Sequence, residues 1–315
     1  MATEPIRVCV LGAGAMGSLF GGLLATTGHT VTLVDVDDAH LAAIRANGLV
    51  VDTDEGSKRV RLEAVRPDAA TGTPDLVLVF TKSMHTRSAL DGIRRLIGQQ
   101  TRLLSLQNGL GNREALLEFA PADRVFVGVT TIPADRVAPG HVRSHGDGSV
   151  RLDNAGGDSP FAARIAAMLD EAGLPAVVDP DVTAAIWEKV AFNAAMNSVC
   201  AVSRCTVGEL AALPDARALA LAIAAETTAV ARAHGIEANP EAVAATVNAA
   251  LDRHGSHRPS MLQDLLAGRP TEIEAINGEV VRAAIRAGIA VPHTSTLLTL
   301  VRLTESKTTM TGGSA

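Results

Sequence analysis

Three polar side chains in the middle of the chain have the spacing of a site. Lys189, Asn193 and Asn197 stand at i, i+4 and i+8 in the run Trp187-Glu188-Lys189-Val190-Ala191-Phe192-Asn193-Ala194-Ala195-Met196-Asn197. In a helix that spacing stacks one ammonium and two amides on a single face. Their neighbours are Val, Ala, Phe and Met, the side chains of a helix that expects burial. A buried lysine needs partners or gives up its proton. The stripe is therefore either a site built around a readily lost proton or the solvated face of an amphipathic helix.

A second set lies near the N-terminus. Gly12-Ala13-Gly14-Ala15-Met16-Gly17 has the G-x-G-x-x-G spacing that cradles a dinucleotide. The first glycine allows a tight turn, the second lets the backbone approach the pyrophosphate, and the third lets helix and strand pack closely. The N-terminus of the helix that follows offers unpaired N–H groups to phosphate, and Ala15 and Met16 within the loop are further candidate contacts. Asp35 ends the next strand, where an acid normally accepts from the adenosine ribose hydroxyls. A carboxylate there repels a 2′-phosphate, and Val36-Asp37-Asp38 supplies no Arg or Lys to bind one. On charge grounds this favours NAD over NADP. Alternatively Asp35 is a surface acid ahead of the next helix, which Asp37 or Asp38 could cap.

The elements around these residues alternate. Apolar strands are expected at 6–11, 30–34, 76–80, 102–106 and 125–129, with helices at 18–27, 38–46, 85–97 and 112–118 between them. Such alternation predicts a parallel sheet covered by helices on both faces. A hairpin is expected at 49–51 and 60–64, and the Gly-, Pro- and Ser-rich stretch 131–154 reads as antiparallel edge strands. After a helix at 159–172 and a strand at 175–178, the chain turns helical: 181–202, 206–211, 215–234, 240–253, 259–267, 271–287 and 293–306. The fold class is thus α/β followed by all-α. The expected division is a dinucleotide-binding domain at 1–180, a helical substrate domain at 181–308 and a flexible tail at 309–315.

Bulk properties exclude other classes. With 47% hydrophobic and 20% charged residues the 315-residue chain is globular. Its formal charge of −6 and the absence of a basic cluster argue against nucleic acid as partner. No apolar run is long enough to span a membrane. Cys9, Cys200 and Cys205 lack metal-ligand spacing, the nine His do not cluster, and no metal site is expected. Reduced thiols suggest a cytoplasmic protein. The Ala-rich helices could bury a homodimer face.

Further candidates sit on loops and helix starts. Thr81-Lys82 and Gln107-Asn108-Gly109 follow strands, at the carboxyl ends where open α/β sheets bind ligands. Lys82 could meet an anion there, whereas Asn108 followed by glycine is also simply a good turn. Ser260-Met261-Leu262-Gln263-Asp264 and Thr271-Glu272-Ile273-Glu274 lie on C-terminal helices, with Ser260 and Thr271 as plausible caps.

Together these motifs resemble the ketopantoate reductase family (2-dehydropantoate 2-reductases). The carriers are the Gly12–Gly17 fingerprint, Thr81-Lys82, Gln107-Asn108-Gly109, Trp187-Glu188-Lys189 with Asn193 and Asn197, Ser260 to Asp264, and Thr271-Glu272-Ile273 with Asn277-Gly278. They run across nearly the whole chain in the family's order. The resemblance implies a Rossmann domain followed by a helical domain of the 6-phosphogluconate dehydrogenase type, with the active site between them. It implies reduction of a small 2-keto acid, ketopantoate first among them, with NAD(P)H as cofactor. Lys189 resembles the family's general acid and Glu272 its partner. Asn193 and Asn197 resemble substrate ligands, Ser260 a carboxylate ligand, and Asn108 and Lys82 groups that orient cofactor and substrate. Two positions depart from the family. Its members are mostly NADPH enzymes, against the charge of Asp35. His257 stands where the family often has a substrate-binding asparagine. A relative acting on another 2-keto or 2-hydroxy acid is the alternative, and a non-catalytic nucleotide sensor a second.

Overall fold

The computed structural model describes residues 4–157, 159–253 and 255–311, with the backbone alone at 308–311. The chain falls into two compact units. The first comprises the chain up to Gln107 together with Asn112–Val182; the second comprises Asn108–Gly111 and the chain from Thr183 onward. The sequence suggested contiguous domains. The short loop after Gln107 instead groups with the helical unit.

In the first unit the strands are β1 (Arg7–Leu11), β2 (Thr30–Val34), β3 (Leu49–Thr53), β4 (Gly56–Val60), β5 (Glu63–Val65), β6 (Leu76–Val79), β7 (Arg102–Ser105), β8 (Val125–Thr130), β9 (Asp135–Ala138), β10 (His141–Arg143), β11 (Val150–Asn154) and β12 (Ala176–Val178). The main sheet runs β12-β11-β8-β7-β6-β1-β2-β5. It is parallel from β5 to β8, and β11 then pairs antiparallel with β8. Its helices are α1 (Ala15–Ala25), α2 (Asp38–Asn47), α3 (Thr86–Gly92), α4 (Asn112–Leu117) and α5 (Pro160–Glu171). Residues such as Val10, Leu33, Leu78 and Leu104 are wholly buried, as a sheet covered on both faces requires.

Three local expectations need correction. The 60–64 strand splits: Val60 closes the β3–β4 hairpin, while Glu63–Val65 joins the edge of the main sheet beside β2. Of the 131–154 stretch only β11 lies in the main sheet. Strands β9 and β10 join β3 and β4 in a separate four-stranded sheet, with β10 parallel to β3. The helix expected at 85–97 is α3 followed by a 3-10 turn at Arg94–Leu96.

The second unit is helical: α6 (Val182–Ser203), α7 (Val207–Ala211), α8 (Pro214–Ala233), α9 (Pro240–Arg253), α10 (Ser260–Leu266), α11 (Glu279–Ala287) and α12 (Pro292–Thr311). Prolines open α8, α9 and α12, where no N–H is needed. Thr206 and Glu209 form a reciprocal capping box on α7, and Gly288 at φ +67° ends α11. The core uses small aliphatics: Ala191, Ala194, Ala195, Ala220 and Ala231 are buried and let helices approach closely. Two expectations fail here. The helix foreseen at 271–287 starts later and opens with a π-turn, Glu274–Gly278, before α11. The tail foreseen from 309 is helical through Thr311, and 312–315 lie outside the described residues.

Candidate functional site

In the first unit the glycines divide the work of one loop. Gly12 adopts φ +96°, and a Cβ there would lie 2.5 Å from the Thr81 nitrogen. A Cβ on Gly17 would run into the carbonyl oxygen of Gly12. These two positions therefore serve the fold. Gly14 differs: a Cβ there would meet nothing within 4 Å. The space beside it is where a pyrophosphate approaches in the dinucleotide fold. Helix α1 begins next to it with no side-chain cap and no acid in its first turn. The N–H groups at Ala15 and Met16 are thus available to an anion, and the loop fits the dinucleotide that its spacing implies.

Side chains tie this loop to its surroundings. The Ser18 hydroxyl donates to the Ala13 carbonyl at 2.8 Å and meets His40 Nε2 at 2.9 Å. His40 Nδ1 accepts from the Gly140 N–H at 3.0 Å, which puts the ring proton on Nε2. Burial holds His40 below its ordinary value, so the ring is neutral and the relay from Gly140 to Ala13 is intact. Sequence reading missed this residue, because its partners lie 22 and 100 positions away.

The end of β2 carries more charge than its sequence suggested. The Asp35 carboxylate accepts from the Ala13 N–H at 2.5 Å and from the N–H groups of Val36 and Asp37 at 2.6 and 2.9 Å. Asp37 caps α2 by accepting from the His40 N–H, which settles which acid is the cap. The absence of Arg and Lys from 36–38 does not leave the spot without cations. Arg136 pairs with Asp37 at 2.7 Å and Arg66 with Asp38 at 2.9 Å. Arg66 also donates to the Val36 carbonyl. Each guanidinium has its own acid, so Asp35 remains the unbalanced charge. At the ends of β6 and β7, Gln107 ties the strands by donating to Thr81 and Thr86 and accepting from Ser105. Lys82, half-buried, starts the 3-10 turn Ser83–His85.

The second unit contains the polar stripe. Asn193 and Asn197 are 7% and 5% exposed on α6, so the stripe is not a solvated face. No hydrogen bond among the described residues engages either amide side chain. Neither amide has its polar atoms fully sealed, so their hydrogen-bonding capacity is open to a small polar group that reaches the helix face. Lys189 keeps some accessible surface, yet protein atoms enclose its ammonium. Burial lowers it from 10.5 to about 8, and the Glu272 carboxylate opposes that shift. Asn108 Nδ2 donates to Glu272 Oε2 at 3.5 Å. The loop carrying Asn108 is fixed to the π-turn, with the Leu110 N–H donating to the Ala275 carbonyl at 2.8 Å. Gly109, at φ +85°, is needed there because a Cβ would lie 2.6 Å from the Ala275 oxygen. Thr271 supports the same turn through its hydroxyl, which accepts from the Ile273 N–H. Glu188 accepts from the Asn239 N–H ahead of α9 and so anchors the helix rather than joining the stripe.

The structure thus brings Lys189, Glu272 and Asn108 into one electrostatic group, with Asn193 and Asn197 on the same helix as the lysine. It does not use Ser260 as a cap: Pro259 holds that position, and the Ser260 hydroxyl is exposed with no hydrogen-bond partner among the described residues. His257 is exposed on the segment before α10, where its carbonyl accepts from the Val207 N–H. An ammonium near neutral pH, an acid beside it and two unspent amides can bind an oxyanion or hydroxyl and protonate it.

Comparison with known proteins agrees across the whole chain. Residues 8–157 match the family described as ketopantoate reductase PanE/ApbA, and residues 181–305 match its C-terminal domain. A 2-dehydropantoate 2-reductase of Streptococcus pyogenes serotype M3 is 36% identical over 301 residues, covering 95% of this chain and 98% of its own length. One from Halobacterium salinarum is 37% identical over 305 residues, 95% and 99% of the two chains. Among solved structures, a D-mandelate dehydrogenase with NADH and anilino(oxo)acetate is 33% identical with a TM-score of 0.91, over 96% of this chain and all (100%) of that one. A PanE/ApbA family ketopantoate reductase from Ralstonia eutropha JMP134 is 32% identical with a TM-score of 0.90, over 96% and 100%. No helix among the described residues is long and apolar enough to cross a membrane. By sequence and fold, from the glycine loop to the last helix, this chain belongs to the ketopantoate reductase family.

Proposed function

We propose that the protein reduces a small 2-keto acid to the 2-hydroxy acid with a reduced nicotinamide dinucleotide, ketopantoate to pantoate being the leading reaction. The observation that carries the reading is the Lys189 ammonium, lowered to about 8 beside Glu272 and followed on the same helix by two buried amides that no hydrogen bond engages among the described residues. A general acid works best when its pKa lies near the working pH. The dinucleotide, held by the Gly12–Gly17 loop, supplies the hydride to the carbonyl carbon. Lys189 delivers a proton to the carbonyl oxygen and is left neutral. Glu272 holds the lysine protonated until then, and Asn108 orients that carboxylate. Asn193 and Asn197 bind the substrate's oxygens, with Ser260 and His257 near its carboxylate. Lys82 meets the cofactor or the anionic substrate.

For the cofactor, Asp35 favours NADH. A 2′-phosphate would meet its carboxylate, and the nearby arginines are already occupied by Asp37 and Asp38. This supports a second reading, a 2-hydroxy acid dehydrogenase acting on another substrate. His257, in place of the family's asparagine, points the same way, as does the likeness to a D-mandelate dehydrogenase bound to NADH. The three free cysteines fit a reducing compartment such as the cytoplasm. Steady-state rates with ketopantoate and aromatic 2-keto acids, each with NADH and NADPH, test both readings. Oxidation of neither cofactor by any 2-keto acid refutes the reductase. A clear preference for NADPH refutes the role given to Asp35.

A further inference from the structure

The strand edge opposite the glycine loop holds a second concentration of binding groups. There a cavity of about 490 Å³ lies between the start of β7, the turn before β8 and the start of α5. Its lining includes Arg102, Arg124, Arg164, Asp123, Gln100 and Phe161. Arg102 is the first residue of β7, so the cavity belongs to the N-terminal edge of the parallel strands. The Gly12–Gly17 loop follows the C-terminal end of β1. The cavity is therefore separate from the dinucleotide loop, within the same unit.

Three guanidinium groups face this space against one carboxylate, in a chain whose formal charge is −6. Neither Arg102 nor Arg124 has an ion pair among the described residues. Each is held instead by backbone carbonyls: Arg102 by Gln100, Arg124 by Gly98 and Thr101. Arg164 donates to the Glu4 carbonyl at 3.1 Å and lies 3.5 Å from its exposed carboxylate. The nearby Asp75 is already committed to Arg7 at 3.0 Å. The guanidinium of Arg102 stacks 3.9 Å from the centre of the Phe161 ring, and that of Arg164 lies 5.7 Å from the same ring. One aromatic ring thus gathers two cations, and carbonyls position a third. Burial, Arg164 and Arg124 press the Arg102 guanidinium below its ordinary value, and Asp75 and Asp123 oppose them only in part. Three cations against a single lining acid repel one another, and an arriving anion relieves that repulsion. Fixed guanidinium groups with spare donors are the groups that recognise phosphate. The volume lies within the range of small-ligand sites.

We propose that this cavity is a binding site for a small phosphate-bearing anion, a phosphate monoester or diphosphate, distinct from the dinucleotide site. Titration calorimetry of the full chain with inorganic pyrophosphate and with glycerol 3-phosphate tests it, run with and without saturating NADH. One-to-one binding that persists with NADH is expected. At about ten times the dissociation constant the melting temperature should rise by roughly 3–6 °C. Arg102→Gln should weaken binding about ten-fold or more. Gln100→Glu, at an exposed position, places a competing carboxylate in the cavity and should do the same with an unchanged ligand-free melting temperature. This second variant decides the matter if Arg102→Gln fails to fold. Binding of neither anion at 10 mM, roughly the weakest affinity worth a site, overturns the proposal. Binding that NADH abolishes, or that both substitutions leave intact, overturns it too, because the anion then sits on the glycine loop.

Discussion

In the first unit, the groups that would meet a ligand are main-chain N–H groups and the empty space beside Gly14. In the second they are side chains: an ammonium, a carboxylate and three amides, drawn from positions 108, 189, 193, 197 and 272. A backbone site depends on what is missing from the sequence, namely Cβ atoms and capping side chains. A side-chain site depends on how much water the fold removes from particular charged groups. The two should therefore fail differently under mutation. Damage to the loop should appear in cofactor affinity, and damage to the stripe in turnover.

The sharpest test is Lys189→Ala. It should lower kcat by about 10²–10⁴-fold while leaving the NADH dissociation constant nearly unchanged. Comparable losses in both, measured by steady-state kinetics and fluorescence titration, would erase the contrast between the units. Next come two glycine substitutions. Gly14→Ala should weaken dinucleotide binding roughly ten-fold, about 1.4 kcal/mol, with little change in melting temperature. Gly12→Ala, at φ +96° and against Thr81, should cost stability first, about 1–3 kcal/mol. If the two behave alike, Gly14 is a packing glycine as well.

Asp35→Asn should raise the rate with NADPH relative to that with NADH by several-fold, roughly the effect of removing one partly exposed like charge. An unchanged ratio would shift the discrimination to Arg66 and Asp38. The smallest effect is on pH. On the proposed mechanism Lys189 acts only when protonated, so kcat/KM should fall as pH rises through about 8. Glu272 holds that proton on, so Glu272→Gln should move the fall to lower pH. A break at the same pH in this variant would remove the carboxylate from the pair.

How far the sequence could be read depends on which of these regions is in view. Gly12, Gly14 and Gly17 lie within six residues, and local backbone sterics dictate what they do. The helices of the second unit were legible because proline positions and apolar runs are local as well. The misreadings came where distant segments compete. Val60–Val65 looked like one strand until two different sheets claimed its ends. The segment 271–278 looked helical, yet it leaves the α-helix where the loop from Asn108 to Gly111 bonds to the Ala275 carbonyl. Ser260 has the right residue type for a cap, but Pro259 takes that place.

Within the candidate sites the same division holds. The i, i+4, i+8 stripe and the fingerprint were visible as patterns, and so was the charge of Asp35. The sequence by itself determined most of the order of elements, the family and which residue types stand at site-like spacing. Only the tertiary structure decided their states: that burial brings Lys189 down to about 8, that Asn193 and Asn197 are buried, and that Arg66 and Arg136 neutralise Asp38 and Asp37. Side-chain type and spacing are properties of neighbouring residues along the chain. Desolvation and ion pairing are properties of neighbours in space, and those are set by contacts between residues as far as 164 positions apart.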